Sequence, residues 1–329
     1  MLKEILSIAC TLAVGFAITL LLIPPVSRFM RRHGVVGADV HKKDRPLIPE
    51  MCGVAVVLGV TASTSVVGLF YSQYTLKIVA FVAATAIAGA VGALDRLTSI
   101  GPRLKPVLVA LGAAPILILA AYFPYPSFPF MGGARLTIVY PILIPIALAV
   151  TANSVNMLDV FNGSMSGTCS VATAAIIICM LIRGSVEAAT LAAGLLGGLL
   201  AFHLYNRYPA RVFGGDVGSL YVGAAIGVLA ILGRVEVAAV TAMMPQIMNA
   251  FYGLAAVGRL YERKEISTRP VKVLPDGRLD ANTDSKAPIT LARMILAKGP
   301  LREHDVTRYM ISLSAVSAIL AVITQTITV

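Results

Sequence analysis

The chain has 329 residues, of which 57% are hydrophobic and only 13% charged, with a mean hydropathy of +0.85. Soluble domains carry about a quarter charged residues, so this composition excludes an ordinary water-soluble fold. The formal net charge of +11 is concentrated between apolar runs, which argues against a nucleic-acid surface.

In chain order the apolar runs predict ten membrane spans: 5–23, 53–71, 77–94, 106–124, 136–156, 168–182, 187–206, 217–233, 236–257 and 308–328. The runs are continuous rather than alternating, so they are expected to be helices, which satisfy their own backbone polar groups in hydrocarbon. The first run lacks a small-residue cleavage site before Pro24 and reads as a retained span. The expected architecture is an all-α polytopic membrane protein forming one unit over 1–329. A polar segment, 258–306, lies between the last two spans. Its "LPDGRLD" (274–280) reads as the turn of a small β-hairpin.

Loops alternate sides, and 22 of the 27 lysines and arginines fall on one side. By the positive-inside rule that side is cytoplasmic, which puts both termini outside. The four cysteines (Cys10, Cys52, Cys169, Cys179) are scattered through the spans and show no metal-ligand or disulfide spacing. His33, His41, His203 and His304 are far apart in sequence and suggest no metal site. Gly89, Gly92, Gly194, Gly197 and Gly198 read as sites of close helix packing.

Four polar clusters interrupt the apolar pattern: 37–53, 92–106, 153–167 and 206–220. All four fall at the cytoplasmic ends of spans. Ionisable groups gathered at a membrane boundary point to function. In "NSVNMLDVFNGSMSG", Asn153 and Asn156 share one helical face, Asp159 extends the polar path, and Asn162-Gly163 reads as a turn. Asp216 sits between Gly214-Gly215 and Gly218-Ser219, as expected for a carboxylate at a helix start. Amide and carboxylate oxygens are hard ligands suited to magnesium, which often bridges to phosphate. Lys42, Lys105 and several arginines supply cations for phosphate oxygens. Together these groups suit a metal-bound phosphoanhydride. A transporter would carry polar residues near its span centres, whereas these lie at one end.

At these residues the sequence resembles the polyprenyl-phosphate N-acetylhexosamine-1-phosphate transferases, in particular the eukaryotic and archaeal dolichyl-phosphate branch. "NRYPARVFGGDVGS" (206–219), "MMPQIMNAFY" (243–252), "GPLREHDVTRYMISL" (299–313), "IPEMCG" (48–53) and the 153–167 stretch carry the likeness. The resemblance implies a cytosol-facing site that transfers GlcNAc-1-phosphate from UDP-GlcNAc to a polyprenyl or dolichyl phosphate and releases UMP. That is the first step of lipid-linked oligosaccharide assembly for N-glycosylation. It implies magnesium, with manganese as the alternative, and leaves a homodimer open. The membrane would be the plasma membrane in an archaeon or the endoplasmic reticulum in a eukaryote.

The resemblance further implies Asn156 and Asp216 as metal ligands and Lys105 as a phosphate contact. Glu50 and Asn162 would lie on the nucleotide side, Asn153 belongs to the same motif, and Gly163 is a further candidate substrate contact. Asp95 matches the first acid of the family's acidic pair. Two departures stand out. Arg96 replaces the second acid, and it is expected to point away from the pyrophosphate or to contact lipid phosphate rather than pair with Asp95. The family's last-loop Arg-His-Arg motif has no match, and Arg263, Lys264 and Arg269 stand in its region. A catalytically silent relative is the competing reading that Arg96 raises.

Overall fold

The computed structural model describes residues 1–257 and 268–329. Its elements are α1 (Leu2–Arg32), β1 (Val36–Ala38), β2 (Leu47–Pro49), α2 (Val54–Phe70), α3 (Thr75–Thr98), α4 (Leu104–Ala110), α5 (Ala113–Ile118), β3 (Ser127–Phe128), β4 (Gly132–Gly133), α6 (Val139–Leu158), α7 (Ser164–Arg183), α8 (Val186–Asn206), α9 (Gly215–Gly233), α10 (Glu236–Ala242), α11 (Met244–Val257), β5 (Val271–Val273), β6 (Leu279–Ala281), α12 (Leu291–Ile295) and α13 (Glu303–Thr328). The protein is an all-α polytopic membrane protein, with three small antiparallel hairpins among the described residues. Among the described residues, seven helices are long and apolar enough to cross a membrane.

Each of the ten predicted spans falls on helix, with instructive differences. The first span runs on to Arg32, through Pro24 and Pro25. A proline removes one ladder hydrogen bond and strains its helix but need not end it. The span expected at 106–124 is two short helices, α4 and α5, parted at Leu111–Gly112. There a β-carbon on Gly112 would lie 2.9 Å from the Ala84 carbonyl oxygen, so α3 packs directly on the break. The span expected at 236–257 is parted at Met243. Pro245 has no N–H to offer the preceding turn.

The bundle is built around α9. Its apolar window is 89% buried, against 22% for α1, so α1 presents its outer face to lipid while α9 forms the centre. Small residues allow close approach, as expected in membranes. A β-carbon on Gly197 would sit 2.2 Å from the Leu12 carbonyl, so α8 and α1 meet backbone to backbone. Gly89 departs from expectation, since a β-carbon there would meet only ordinary contacts at 3.6 Å or more.

The predicted hairpin forms: β5 and β6 pair antiparallel around 274–278, with Gly277 at φ +80°. It packs with Leu296, Val306 and Met310 into a small core that also takes Leu158 and Phe161. The described part of the 258–306 segment is thereby seated on the ends of α6 and α13. The chain directions of α1 and α13 carry both termini to the end of the bundle opposite this one.

A candidate active site at one end of the bundle

The four polar clusters meet at one end. The first turn of α9 brings Asp216, the last turn of α6 brings Asn156, the end of α3 brings Asp95, and the start of α4 brings Lys105. Lys105 Nζ lies 2.6 Å from Asp95 Oδ2 and 2.7 Å from Asp216 Oδ2. Asn156 donates to Ser219 Oγ at 2.9 Å and also reaches the Asp216 carboxylate. Asn153, on the same face of α6, donates to the Ala149 carbonyl at 2.7 Å.

The backbone holding Asp216 is clasped from two sides. Residues 49–53 run beside 213–214, with Phe213 N donating to Pro49 O and Cys52 N to Phe213 O. Gly92 of α3 comes so close that a β-carbon there would lie 2.4 Å from the Asp216 carbonyl oxygen. Gly215 adopts φ +64°, a left-handed turn that glycine enters at little cost.

A cavity of about 960 Å³ opens over these groups. Glu50, Asp95, Lys105, Asn153, Asn156, Asn162, Asp216 and Arg269 line it, as does Arg96. One wall is apolar and formed by Pro106, Val150, Ile247, Phe251 and Leu254 from α4, α6 and α11. Arg263 and Lys264 lie outside the described residues. Gly163 and Lys42 are not in the cavity wall. Gly163 instead makes the left-handed turn (φ +80°) that starts α7.

Asp39, His41 and Asn162 of the cavity wall belong to a second charged group. Lys42 Nζ contacts Glu303 Oε2 at 2.6 Å, Asp39 Oδ2 at 2.8 Å and Asn162 Oδ1 at 3.0 Å. Asn162 donates its backbone N–H to Glu303 and its side-chain amide to Asp39, and accepts from Ala210 N. Asp39, Asn162 and Glu303 are all buried. Burial opposes the charge on Lys42, but the Asp39 and Glu303 carboxylates outweigh it and hold its pKa above the ordinary lysine value. His41 lies with Asp39 and Glu303, their ligand atoms within 4.8 Å of one another. The sequence reading set His41 aside and did not single out Asp39 or Glu303. Lys42 already places a positive charge between those two acids.

Arg96 does not turn away from the site. Its Nε pairs with Glu50 Oε2 at 3.2 Å and its Nη2 donates to the Val36 carbonyl at 3.4 Å. The acid of Asp95 goes to Lys105 instead, because successive helical residues diverge.

The donor set suits a hard divalent cation. Asp95 Oδ1 is buried and has no hydrogen-bond partner among the described residues, and the Asp95 and Asp216 carboxyls lie within reach of each other. A buried, unpaired carboxylate oxygen is costly unless a cation or donor meets it. Asn156 adds an amide beside the pair, and oxygen-rich sets of this kind suit magnesium or manganese.

Residues 78–234 match glycosyl transferase family 4. The chain is 28% identical over 99% of both chains to a Saccharolobus solfataricus protein provisionally named UDP-N-acetylglucosamine–dolichyl-phosphate N-acetylglucosaminephosphotransferase. It is 35% identical to the phospho-N-acetylmuramoyl-pentapeptide-transferase of Moorella thermoacetica, over 68% of this chain and 75% of that one. The Bacillus licheniformis protein of the same name is 30% identical over 69% and 75%. Lys105 between two acids, an oxygen-rich pocket and an apolar wall are thus found in a chain that belongs to glycosyl transferase family 4, the membrane enzymes that transfer a sugar phosphate to a polyprenyl phosphate.

Proposed function

We propose that the protein transfers GlcNAc-1-phosphate from UDP-GlcNAc to a dolichyl-type polyprenyl phosphate at the cytoplasmic membrane surface. The observation that carries this reading is the Lys105 bridge between Asp95 and Asp216, set where the cavity changes from polar to apolar. A nucleotide sugar matches the polar part and a prenyl chain matches the wall of Val150, Ile247, Phe251 and Leu254. The full-length match to the Saccharolobus protein supports the GlcNAc donor over a muramoyl-peptide donor, whose transferases match only about two thirds of this chain. The excess of lysine and arginine at the cavity end supports its cytoplasmic orientation.

An acceptor phosphate oxygen attacks the β-phosphorus of the donor. The bond from that phosphorus to the bridging oxygen breaks, and UMP leaves. The acceptor needs no strong base, because a phosphomonoester has its second pKa near 6 and is largely dianionic at neutral pH. Catalysis therefore consists of positioning and charge neutralisation. Lys105, held between two carboxylates, directs its ammonium at the phosphate oxygens. Asn156 and Asp216, with the unpartnered oxygen of Asp95, would hold magnesium, or manganese in its place. When bound there, the ion supplies Lewis-acid charge to the pyrophosphate. Glu50, Asn153, Asn162 and Arg269 line the donor side, and Arg263 belongs to the same loop region. The apolar wall excludes water from the acceptor side.

The test is an assay of purified protein with magnesium, a polyprenyl phosphate and a panel of UDP-GlcNAc, UDP-GalNAc and UDP-MurNAc-pentapeptide. UMP release with a GlcNAc-pyrophosphate lipid, identified by mass spectrometry, is the expected result. Turnover of only another donor would replace the GlcNAc assignment while leaving the reaction class intact.

A further inference from the structure

The ends of α7 and α9 remote from the cavity carry a feature that the transfer reaction does not use. Arg183 closes α7, and Arg234 stands just past α9. Ser185 Oγ donates to the Gly233 carbonyl at 2.9 Å, which ties these two helix ends together, and the two charges lie close enough to act on each other and on Glu236. Neither guanidinium makes an ion pair within 4.0 Å among the described residues; Glu236 instead accepts from the Tyr140 hydroxyl. Arg183 donates one hydrogen bond, to Ser127 Oγ at 3.2 Å. Arg234 stacks 4.0 Å over the Phe123 ring, and its Nε is buried with no partner among the described residues.

The backbone adds an independent observation. Arg234 adopts φ +59°, ψ +43°. A side chain makes that left-handed conformation unfavourable, and helix ends usually give it to glycine. Gly184 takes it at the neighbouring end of α7. An arginine in a backbone conformation that favours glycine, with its Nε unpartnered, is strain that its surroundings must hold in place. Two guanidiniums with spare donors, beside an aromatic ring at a membrane boundary, form a fork suited to phosphate oxygens.

We propose that Arg183 and Arg234 bind a phosphate group at this end of the bundle, on a lipid headgroup or free in solution. The competing account is that each arginine only offsets the partial negative charge of its helix end. The two accounts differ for Arg234→Gly, which removes the side chain and relieves the backbone.

The test follows thermal unfolding of full-length protein in neutral detergent during titration with short-chain phosphatidic acid, short-chain diacylglycerol and inorganic phosphate. Wild type is expected to show a saturable rise in Tm with phosphatidic acid and none with diacylglycerol. A matching rise with inorganic phosphate would assign the site to free anions, and its absence would assign it to lipid. Arg183→Gln and Arg234→Gly should each weaken half-saturation about tenfold or more, the loss of one strong contact. Without phosphate compounds, Arg234→Gly should be as stable as wild type or more so. Equal phosphatidic-acid shifts in wild type and both variants would overturn the proposal. So would an Arg234→Gly protein that is destabilised equally with and without phosphatidic acid. Transferase activity, measured in parallel, should stay unchanged in both variants, because neither residue lines the cavity.

Discussion

Arg96 Nε lies 3.2 Å from Glu50 Oε2, so the basic residue standing where the family resemblance implies an acid ties the end of α3 to the exit of the β1–β2 hairpin. Its charge is met by Glu50, and Asp95 keeps Lys105. Wild-type protein should therefore be active. Because the pair is half exposed, it is worth about 1 kcal/mol or less, and Arg96→Ala should lower the rate less than about tenfold. Arg96→Asp should be worse than Arg96→Ala, since it sets a third carboxylate beside Glu50 and Asp95. UMP release assays decide this. A silent wild type rescued by Arg96→Asp would show that the acid is indispensable.

Asp216→Asn and Asn156→Ala should each cost roughly 3 kcal/mol or more of barrier, about a hundredfold in rate, as for other lost electrostatic contacts to a transition state. Circular dichroism should show both variants folded. Their rates should respond to added magnesium or manganese differently from wild type. A normal magnesium dependence in Asp216→Asn would remove that carboxylate from the metal set.

Lys105→Met leaves Asp95 and Asp216 facing each other without the ammonium between them. Removing one partner of a buried pair costs about 3–5 kcal/mol; with Asp216 a third exposed, screening should reduce this to about 1–3 kcal/mol. Pairing Lys105→Met with Asp216→Asn should restore part of the lost stability, because the two residues share one network. Tm measurements on the four proteins of the cycle give the coupling. Additive losses would dissolve the triad as an energetic unit.

Lys42 offers a pH test. Its folded pKa is raised above its ordinary value near 10.5. The stability it contributes is therefore fully present below that unfolded value and is lost as pH rises through the higher folded one. Wild type should lose stability steeply in that alkaline window, whereas Lys42→Met should be less stable at neutral pH and flatter above pH 10. Tm against pH in both proteins checks the sign.

Much of this site was legible before any coordinates. Hydropathy locates span ends to within a few residues, and once ends are known, Asp95, Lys105, Asn156 and Asp216 must share a membrane face. Their mutual contacts then follow from packing around α9. Hydropathy says nothing about side-chain pairing between distant loops. Lys42 and Glu303 are 261 positions apart, and no periodicity links them. His41 looked isolated for the same reason. The Arg96–Glu50 pairing is not legible because Glu50 directly follows a two-stranded hairpin too short to announce itself by alternation. The breaks within 104–118 and 236–257 were hidden because apolar content persists across them, although Gly112 and Pro245 mark the points.

Glu303 is the first residue of the last helix, and it holds both Lys42 and the backbone of Asn162. The order of biosynthesis gives that contact a meaning of its own. When a ribosome has delivered the first 302 residues, every side chain that touches the Lys105 constellation is already in the membrane, yet the loops around it still lack their shared acid. Asn162 ties Asp39 and Ala210 together by itself, and α13 then adds the acid that Lys42 and the Asn162 backbone share. A chain stopped before α13 would hold the Lys105 constellation while leaving the Asn162 N–H and one side of the Lys42 ammonium unmet.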